Sequence, residues 1–412
     1  MANIEYKESR LDNGLKVITS TNNCSDVVNV DLVMRAGARY ESDDESGCAH
    51  MLEHMLLKGT TKMPGSTDIY NAIEKRGAFL NALTNIENIS IKSQVVTQQN
   101  DFILELIADM LFNSLIDPTT LENEKKVVSE EIRRAEQDGD KMVRIKSLEY
   151  FFEGHPIAKM IPGSTEGVNE ITETKLKNYK KNTFTPSQSA LVTTGNIAHE
   201  DVVKLAEKYF SNWVNSQKNT VVSSEPSVSK EKQVFFEFPS KQSFVYICYP
   251  TRGISDLKEF AALELIAGFV GEGSASLLSK ELRSKEGLVY GQTTFNTPYT
   301  DAGIFEIKTS TTKPKEVIEI ILNGVNNFSE SINEETILDI KNKKIAQFKR
   351  VNSNPSSEIS FLDRFFVLLD RMLTPEEYIS MLEEVKLEDI KSVAAKYLTR
   401  EQALVAVLGP KE

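Results

Sequence analysis

The sequence predicts an α+β protein of two homologous domains, each an antiparallel sheet covered by helices. Three observations support this prediction. The chain has 412 residues, which is too long for one ordinary core. Short apolar or alternating runs, typical of strands, are interspersed with longer runs at helical spacing. A weak internal repeat, with an offset of about 214 residues, relates the two halves.

The repeat consists of a predicted helix followed by an apolar strand. Its first copy runs from Glu170 to Val192 and its second from Glu384 to Val405. A shorter similarity relates residues 75–84 to residues 285–294. Two similarities at nearly one offset indicate a duplicated α+β domain.

Residues 214–233 are polar, rich in serine and contain a proline, which is typical of a linker. We therefore expect a first domain at residues 1–213 and a second, homologous domain at residues 234–412.

The individual elements follow from hydrophobic periodicity. Alternating or apolar runs predict strands at 15–20, 27–34, 89–96, 244–249 and 304–309. Apolar residues at helical spacing predict helices at 102–115, 260–270, 317–328 and 334–350.

Composition excludes several classes of function. Sixty acidic residues against 48 basic ones give a net charge of −12, which argues against nucleic-acid binding because phosphate contacts need clustered lysine and arginine. No apolar run reaches the ~18–20 residues of a membrane span, and no secretory signal is visible. Three sparse cysteines favour a reducing compartment. We expect a cytoplasmic protein without a nucleic-acid partner or a membrane span.

The segment 48–59, CAHMLEHMLLKG, predicts a short helix that ends at Gly59. The helix is apolar nearly all round, so we expect it to be buried. His50 and His54 lie one turn apart on one face, so their imidazoles can bind a single metal ion. Glu53 lies beside them, giving the order H-x-x-E-H. The alternative is a pair of core histidines, although three ionisable groups are costly to bury without a partner.

A third ligand should be a carboxylate or another histidine, and a second helix offers candidates. The segment 117–132 begins with an N-cap aspartate followed by proline, and it predicts a long helix. Glu124 and Glu131 lie seven residues apart, about two turns, on its apolar stripe. That stripe comprises Leu121, Val127, Val128, Ile132 and Ala135. The alternative is two solvated glutamates.

These residues resemble the pitrilysin/insulinase family of zinc metallopeptidases, and within it the two-domain bacterial-type members that are similar to the mitochondrial processing peptidase. Glu124 and Glu131 stand at the family's distance after the second histidine. The other matching segments are 38–41 (ARYE), 47–60 (GCAHMLEHMLLKGT), 81–84 (NALT) and 282–290 (LRSKEGLVY). The resemblance covers essentially the whole chain and implies a metallopeptidase fold of the processing-peptidase type.

The resemblance also implies a role for each site residue. His50, His54 and Glu131 would hold one Zn²⁺ per chain. Glu53 would be the general base that takes a proton from the attacking water. Glu124 would orient one of the metal ligands.

Substrate binding is implied in the same way. Asn81 and Ala82 would lie on an edge strand to which an extended peptide adds as a further strand. Arg283 and Tyr290 would bind the substrate backbone and stabilise the developing oxyanion. Without the resemblance, a surface arginine and a core tyrosine are the alternative.

The implied function is a zinc-dependent endopeptidase that acts on peptides or unfolded protein segments. Members of this family with about this length use two chains, so the resemblance, with the zinc residues and the Arg/Tyr pair on one chain, implies a homodimer with an enclosed chamber. The residues 271–276, GEGSAS, contain few glycines compared with the glycine-rich loop of the non-catalytic processing-peptidase subunits, so oligopeptidase and presequence-processing activities both stay open. The alternatives are the catalytic subunit of a heterodimer and a non-catalytic, peptide-binding relative.

Overall fold

The computed structural model of the protein describes residues 4–216 and 226–411. Residues 217–225 of the predicted linker lie outside the described residues. The strands are β1 (Glu5–Arg10), β2 (Lys16–Thr21), β3 (Val27–Met34), β4 (Phe79–Thr84), β5 (Ile89–Val96), β6 (Ser189–Gly195), β7 (Gln233–Glu237), β8 (Ser243–Arg252), β9 (Gln292–Pro298), β10 (Ala302–Thr311) and β11 (Leu404–Gly409).

The first helix carries the two candidate histidine ligands, and the others follow in chain order. They are α1 (Cys48–Leu56), α2 (Ser66–Glu74), α3 (Asn100–Asn113), α4 (Pro118–Glu136), α5 (Gly139–Phe151), α6 (Thr165–Asn169), α7 (Glu173–Thr183), α8 (His199–Phe210), α9 (Leu257–Val270), α10 (Pro314–Ser331), α11 (Glu334–Asn352), α12 (Pro355–Leu369), α13 (Pro375–Glu384) and α14 (Leu387–Tyr397). Each strand and helix predicted from periodicity is confirmed to within a few residues at its ends.

Two sheets organise the chain. The first has the strand order β1-β2-β6-β3-β5-β4 and the second has the order β7-β11-β8-β10-β9. The second order repeats the order β2-β6-β3-β5-β4 within the first sheet, which confirms the duplicated α+β domain predicted from the internal repeat.

The sequence predicted antiparallel sheets, but neither sheet is purely antiparallel. In each, one pair is parallel: β2 with β6, and β7 with β11. The long stretch of chain between the paired strands allows this arrangement, because parallel neighbours need a crossover connection rather than a tight turn. The remaining neighbours pair antiparallel.

The chain forms two compact units that differ from the predicted continuous domains. The first unit comprises Met1–Ile132, Lys159–Val222 and Val351–Thr374, and the second comprises Arg133–Ala158, Ser223–Arg350 and Pro375–Glu412. The difference arises because α12, from the second half of the sequence, packs on β6 and β3, whereas α5, from the first half, packs on β11 and β8. Each sheet is thus covered on one face by a helix from the other half of the sequence.

In the first unit, α12 joins the sheet through an apolar cluster and a buried polar group. The cluster contains Ile18, Val33, Ala190, Val192, Ile359, Leu362, Phe366 and Val367. Lys92 Nζ on β5 lies 2.6 Å from Asp31 Oδ2 on β3 and 2.7 Å from Asp363 Oδ2 on α12. Burial, and then the neighbouring Asp31, raise the pKa of Asp363 well above its ordinary value.

In the second unit, α5 meets its sheet with the charges reversed. Glu306 of β10 is buried, and Arg144 of α5 donates to both of its carboxylate oxygens, at 2.6 and 3.1 Å. Tyr246 and Thr297 also donate hydroxyl hydrogen bonds to Glu306, at 2.6 and 2.5 Å. The buried carboxylate is therefore fully supplied with donors, as burial of a charge requires.

The other face of the first sheet carries the main core of that unit. Side chains from α1, α3 and α4 pack there against apolar strand residues that include Val30, Leu32 and Ile91. Because helices cover both faces, successive residues such as Leu32 and Val33 are both buried, which explains the continuous apolar run of β3. The helix α1 is thereby held rigidly against the sheet.

Each helix in the described part of the chain is too short or too polar to span a membrane.

Candidate metal centre

The helix α1 is fixed at its N-terminus by residues outside it. Gly47 adopts a left-handed conformation (φ 85°), and a Cβ there would approach Pro162 O to 2.7 Å, so glycine is required. The carboxylate of Glu41 accepts hydrogen bonds from the N–H groups of Gly47 (3.2 Å) and Ala49 (2.8 Å). Glu41 therefore satisfies N–H groups that an N-cap side chain would otherwise satisfy.

The first two candidate ligands project from α1 onto α4. The rings of His50 and His54 have centroids 4.7 Å apart and are nearly perpendicular. Glu131 Oε2 lies 3.9 Å from His50 Nε2 and 3.7 Å from His54 Nε2. One ligand atom from each of the three residues lies within 4.8 Å of the others. The structure thus brings together the three residues that the sequence predicted as metal ligands.

The ionisation of these groups suits a cation. Burial, reinforced by the neighbouring His54, lowers the pKa of His50 to about 4, so its ring is neutral near pH 7. A neutral imidazole offers a nitrogen lone pair to a metal, whereas an imidazolium does not. His50 Nδ1 has no hydrogen-bond partner within the described residues, which leaves Nε2 as the nitrogen directed at Glu131.

The second nitrogen of His54 is held by Glu124. Its Nδ1 lies 3.0 Å from Glu124 Oε2, and the other carboxylate oxygen lies 2.8 Å from Lys58 Nζ. Burial opposes ionisation of Glu124, but the hydrogen bonds from Lys58 and His54 outweigh it, so its pKa lies below the ordinary value. An ionised Glu124 accepts the Nδ1 proton of His54 and directs Nε2 towards Glu131.

Glu53 completes the cluster without belonging to the ligand set. Its Oε2 lies 3.9 Å from His50 Nε2 and accepts a 3.0 Å hydrogen bond from the hydroxyl of Thr84 at the end of β4. Burial raises its pKa. The carboxylate is therefore placed beside the ligand nitrogens, where it can take a proton from a water molecule.

The donor set fits a zinc ion. Structural surveys give zinc–nitrogen and zinc–oxygen distances of about 2.0–2.2 Å, so ligand atoms around one tetrahedral ion lie roughly 3.4 Å apart. The two nitrogen–oxygen separations of 3.9 and 3.7 Å need little adjustment to reach that value. Two imidazoles and one carboxylate leave a fourth position open, as in catalytic rather than structural zinc sites.

The helix α4 differs from the predicted amphipathic stripe in one respect. Leu121, Val128 and Ile132 are buried, but Val127 is 44% exposed. Glu124 is buried and Glu131 is about half exposed. The prediction that Val127 is buried is wrong, because Val127 and Glu131, four residues apart, share an open side of the helix.

The predicted substrate-binding residues lie at two places. Asn81 and Ala82 are on β4, the last strand of the first sheet, with Asn81 exposed and Ala82 buried. Arg283 lies on a π-helical turn, Ser279–Lys285, of the second unit, and its guanidinium carbon lies 5.6 Å from the ring centroid of Tyr290. Tyr290 is 91% exposed, so it is not a core tyrosine.

Three residues of the site were given no role by the sequence: Glu41, Lys58 and Thr84. Lys58 follows His54 by four residues, so helical spacing alone was a usable signal for it. Thr84 and Glu41 reach α1 from a strand and a loop, and no local pattern predicts such contacts.

Comparisons with known proteins agree with this geometry. The family model described as Insulinase (Peptidase family M16) matches residues 16–164, and the model described as Peptidase M16 inactive domain matches residues 170–344. Together the two models span most of the chain. The metal cluster lies entirely within the first match.

Similar curated proteins cover nearly the full chain. A protein of Rickettsia bellii named uncharacterized zinc protease is 26% identical, over 98% of this chain and 98% of its own length. The mitochondrial-processing peptidase subunit beta of Neurospora crassa is also 26% identical, over 99% of this chain and 89% of its own length.

Solved structures show the same fold. A protease from Helicobacter pylori superposes with a TM-score of 0.91 at 20% identity and covers 99% of this chain and 100% of its own. A Pseudomonas fluorescens structure described as a peptidase M16 inactive domain also gives a TM-score of 0.91, at 17% identity, covering 99% and 98%.

Proposed function

This chain belongs to the pitrilysin/insulinase family of metallopeptidases, and from that premise we propose that it is a zinc-dependent endopeptidase with one zinc ion per chain. The observation that carries the proposal is the convergence of His50, His54 and Glu131, with Glu53 beside them. A non-catalytic relative would have no need to keep all four groups together in a costly half-buried cluster.

In this proposal His50, His54 and Glu131 hold the ion. When bound, zinc polarises a substrate carbonyl and lowers the pKa of a water molecule. Glu53 takes a proton from the attacking water and returns it to the leaving amine. Thr84 fixes the Glu53 carboxylate through the 3.0 Å hydrogen bond, so the base needs no reorientation.

Glu124 acts through His54 and is a positioning residue. It holds the Nδ1 proton of His54 and thereby presents Nε2 to the metal. Lys58 neutralises the charge of Glu124, which lowers the cost of keeping a carboxylate at a buried position.

The proposed substrate is a peptide or an unfolded segment in extended conformation. It would add to β4 beside Asn81 and Ala82, because an edge strand offers unpaired backbone groups. Arg283 and Tyr290 would bind the substrate backbone and stabilise the oxyanion, a role supported by their mutual contact and high exposure.

We further propose a cytoplasmic homodimer that encloses its substrates. This part rests on the presence of both residue sets on one chain. The beta subunit named among the relatives favours one alternative, a catalytic subunit that needs a different partner chain.

The test is to incubate the purified chain alone with a mixed peptide library and to identify the products by mass spectrometry. We expect internal cuts, one zinc per chain and a mass in solution of two chains. A chelator should abolish the cuts. Glu53→Gln should keep the zinc but lose the cuts, and Glu131→Gln should lose both.

Glu122→Gln is a matched control on the same helix, because the Glu122 side chain is 65% exposed. It should keep both zinc and activity. Cuts that persist after chelation or in Glu53→Gln would contradict the proposal. Zinc binding without any cuts would favour the partner-dependent or the non-catalytic alternative.

A further inference from the structure

The edge strand β4 exposes apolar side chains on one of its faces. Phe79, Asn81 and Leu83 alternate with the buried Leu80, Ala82 and Thr84. Phe79 is 55% exposed and Leu83 is 44% exposed. Large apolar side chains on an edge strand favour pairing with another strand, so a chain that keeps them exposed needs a reason to do so.

The position of this strand relative to the metal centre is fixed by Thr84. Its hydroxyl contacts Glu53, so the C-terminal end of β4 abuts the proposed hydrolytic site. Leu83 is the next residue back along the strand, and Phe79 is four residues further. At about 3.3 Å per residue, the apolar pair extends over roughly 13 Å of edge leading away from the site.

The exposed face is the one that α12 covers elsewhere on the sheet. Asn81 pairs in register with Lys92, whose ammonium group contacts Asp363 of α12. The helix packs on β3 and β6, nearer the middle of the sheet, and Phe79 and Leu83 stay open beyond it. The face is therefore free along β4 to accept the side chains of an added strand.

We propose that Phe79 and Leu83 make this edge select extended substrates that have apolar side chains at alternate positions, counted from the scissile bond. The inference rests on the proposed endopeptidase function and adds a substrate class to it. Cross-strand neighbours on one face of a sheet interact directly, whereas residues of the opposite parity point to the other face. A substrate strand held at one end by the hydrolytic site consequently presents every second side chain to Phe79 and Leu83.

This selection predicts a period of two in the sequences around the cleaved bonds. Each apolar contact across a strand pair contributes modestly, so removing both side chains should reduce kcat/KM for preferred peptides about two- to fivefold per contact. Peptides whose apolar residues are shifted by one position should lose nothing.

The experiment compares two isomeric fluorogenic peptides that carry the same apolar residues at positions of opposite parity. The readout is the ratio of their kcat/KM values, which is insensitive to a general loss of active enzyme. Phe79→Ser and Leu83→Ser, singly and together, should move this ratio towards one. Phe295→Ser is the matched control, because Phe295 is 50% exposed on β9, the edge of the second sheet.

A ratio that is unchanged in the β4 variants, while the peptides are still cut, overturns the inference and leaves the endopeptidase function intact. An equal change in Phe295→Ser also overturns it. Dissociation of the dimer in the β4 variants, without a change in the ratio, would assign the edge to a second copy of the chain instead. Absence of cutting by the wild-type protein, with zinc bound, removes the function and this inference together.

Discussion

The two sheets share a strand order, but the helix that follows the middle strand of this order differs in its side chains between the two sheets. The helix α1 follows β3, and α9 follows β8, its counterpart in the second sheet. Glu53 of α1 follows a leucine and accepts a hydrogen bond from Thr84 beside the edge strand's end. Glu264 of α9 also follows a leucine and accepts one from Asn296 of β9, at 3.2 Å. The two glutamates therefore occupy corresponding places.

The difference lies in the neighbours of these glutamates. Where α1 has His50 and His54, α9 has Ala261 and Leu265, both buried. Lys344 of α11 lies 3.6 Å from the Glu264 carboxylate. In the first unit a carboxylate from α4 meets the histidines, whereas in the second an ammonium group meets the retained glutamate. The same scaffold thus holds a half-buried glutamate beside either the candidate metal site or an ion pair.

The largest effect should come from changing each glutamate to glutamine. Glu53→Gln removes the proposed general base, and we expect kcat to fall by about 10²–10⁴-fold with zinc retained. Glu264→Gln should leave kcat within about twofold, because Glu264 has an ion-pair partner and no proposed contact with substrate. Steady-state kinetics and metal content of both variants provide the measurement.

Equal losses in the two variants would break the comparison, since they would give the second glutamate a catalytic role. Thermal unfolding of both proteins serves as the control for folding. A stability loss of about 1 kcal/mol or less in Glu264→Gln, without a kinetic effect, is the expected pattern, because Lys344 keeps Glu272 as its nearer partner.

The second comparison concerns α5 and α12, each of which packs on the sheet of the other half, and its measured quantity is the free energy of unfolding. Arg144→Met leaves the buried Glu306 carboxylate without its cation, and we expect a loss of about 3 kcal/mol. Asp363→Asn should cost less, about 1 kcal/mol, because Lys92 keeps Asp31 as a partner at 2.6 Å and the amide oxygen of the asparagine can still accept its hydrogen bond. Hydrogen exchange of peptides from each sheet measures the two effects separately.

In Arg144→Met, the loss of protection from hydrogen exchange should concentrate in β8 and β10. In Asp363→Asn, the loss should concentrate in β3 and β5. Fluorescence of Trp213, the single tryptophan, reports the first unit and offers an independent check. A larger loss in Asp363→Asn than in Arg144→Met would contradict the expectation that Asp31 still pairs with the Lys92 ammonium group in the variant.

Much of the candidate metal centre was predictable from the sequence because its geometry is local. The spacing of His50 and His54 fixes one helical face, and the spacing of Glu124 and Glu131 fixes another. The family's pattern then implied that Glu131 is a ligand and that Glu124 orients one of the ligands. The pairing of these two helices is long-range, but the costs of burying unpaired ionisable groups favour bringing them together.

The exchange of α5 and α12 was not predictable in the same way. Each is an ordinary amphipathic or apolar segment in its own half, and nothing local identifies the sheet that it covers. Arg144 and Asp363 meet partners about 160 and 270 residues away along the chain. The predicted boundaries at 1–213 and 234–412 followed chain continuity and therefore assigned both helices to the sheet of their own half.

The last comparison concerns how the two corresponding helices begin. An exposed N-cap, Asp256, accepts from the N–H groups of Lys258 and Glu259 in α9, whereas the buried Glu41 serves α1 from six residues upstream of Gly47. Burial raises the pKa of Glu41 to about 8, against the opposing effect of its two N–H donors. The folded state therefore binds a proton that the unfolded state releases, and the stability from this group, full below about pH 4.5, is lost as the pH rises through 8. The variant Glu41→Gln removes this titration. Between pH 5.5 and 7.5, the unfolding free energy of the wild type should therefore fall relative to that of Glu41→Gln by about 1.4 kcal/mol per pH unit. Urea unfolding followed by Trp213 fluorescence measures this difference, in which titrations common to both proteins cancel. A difference that stays constant with pH would mean that the helix N-terminus keeps Glu41 ionised, and α1 and α9 would then begin on the same electrostatic principle.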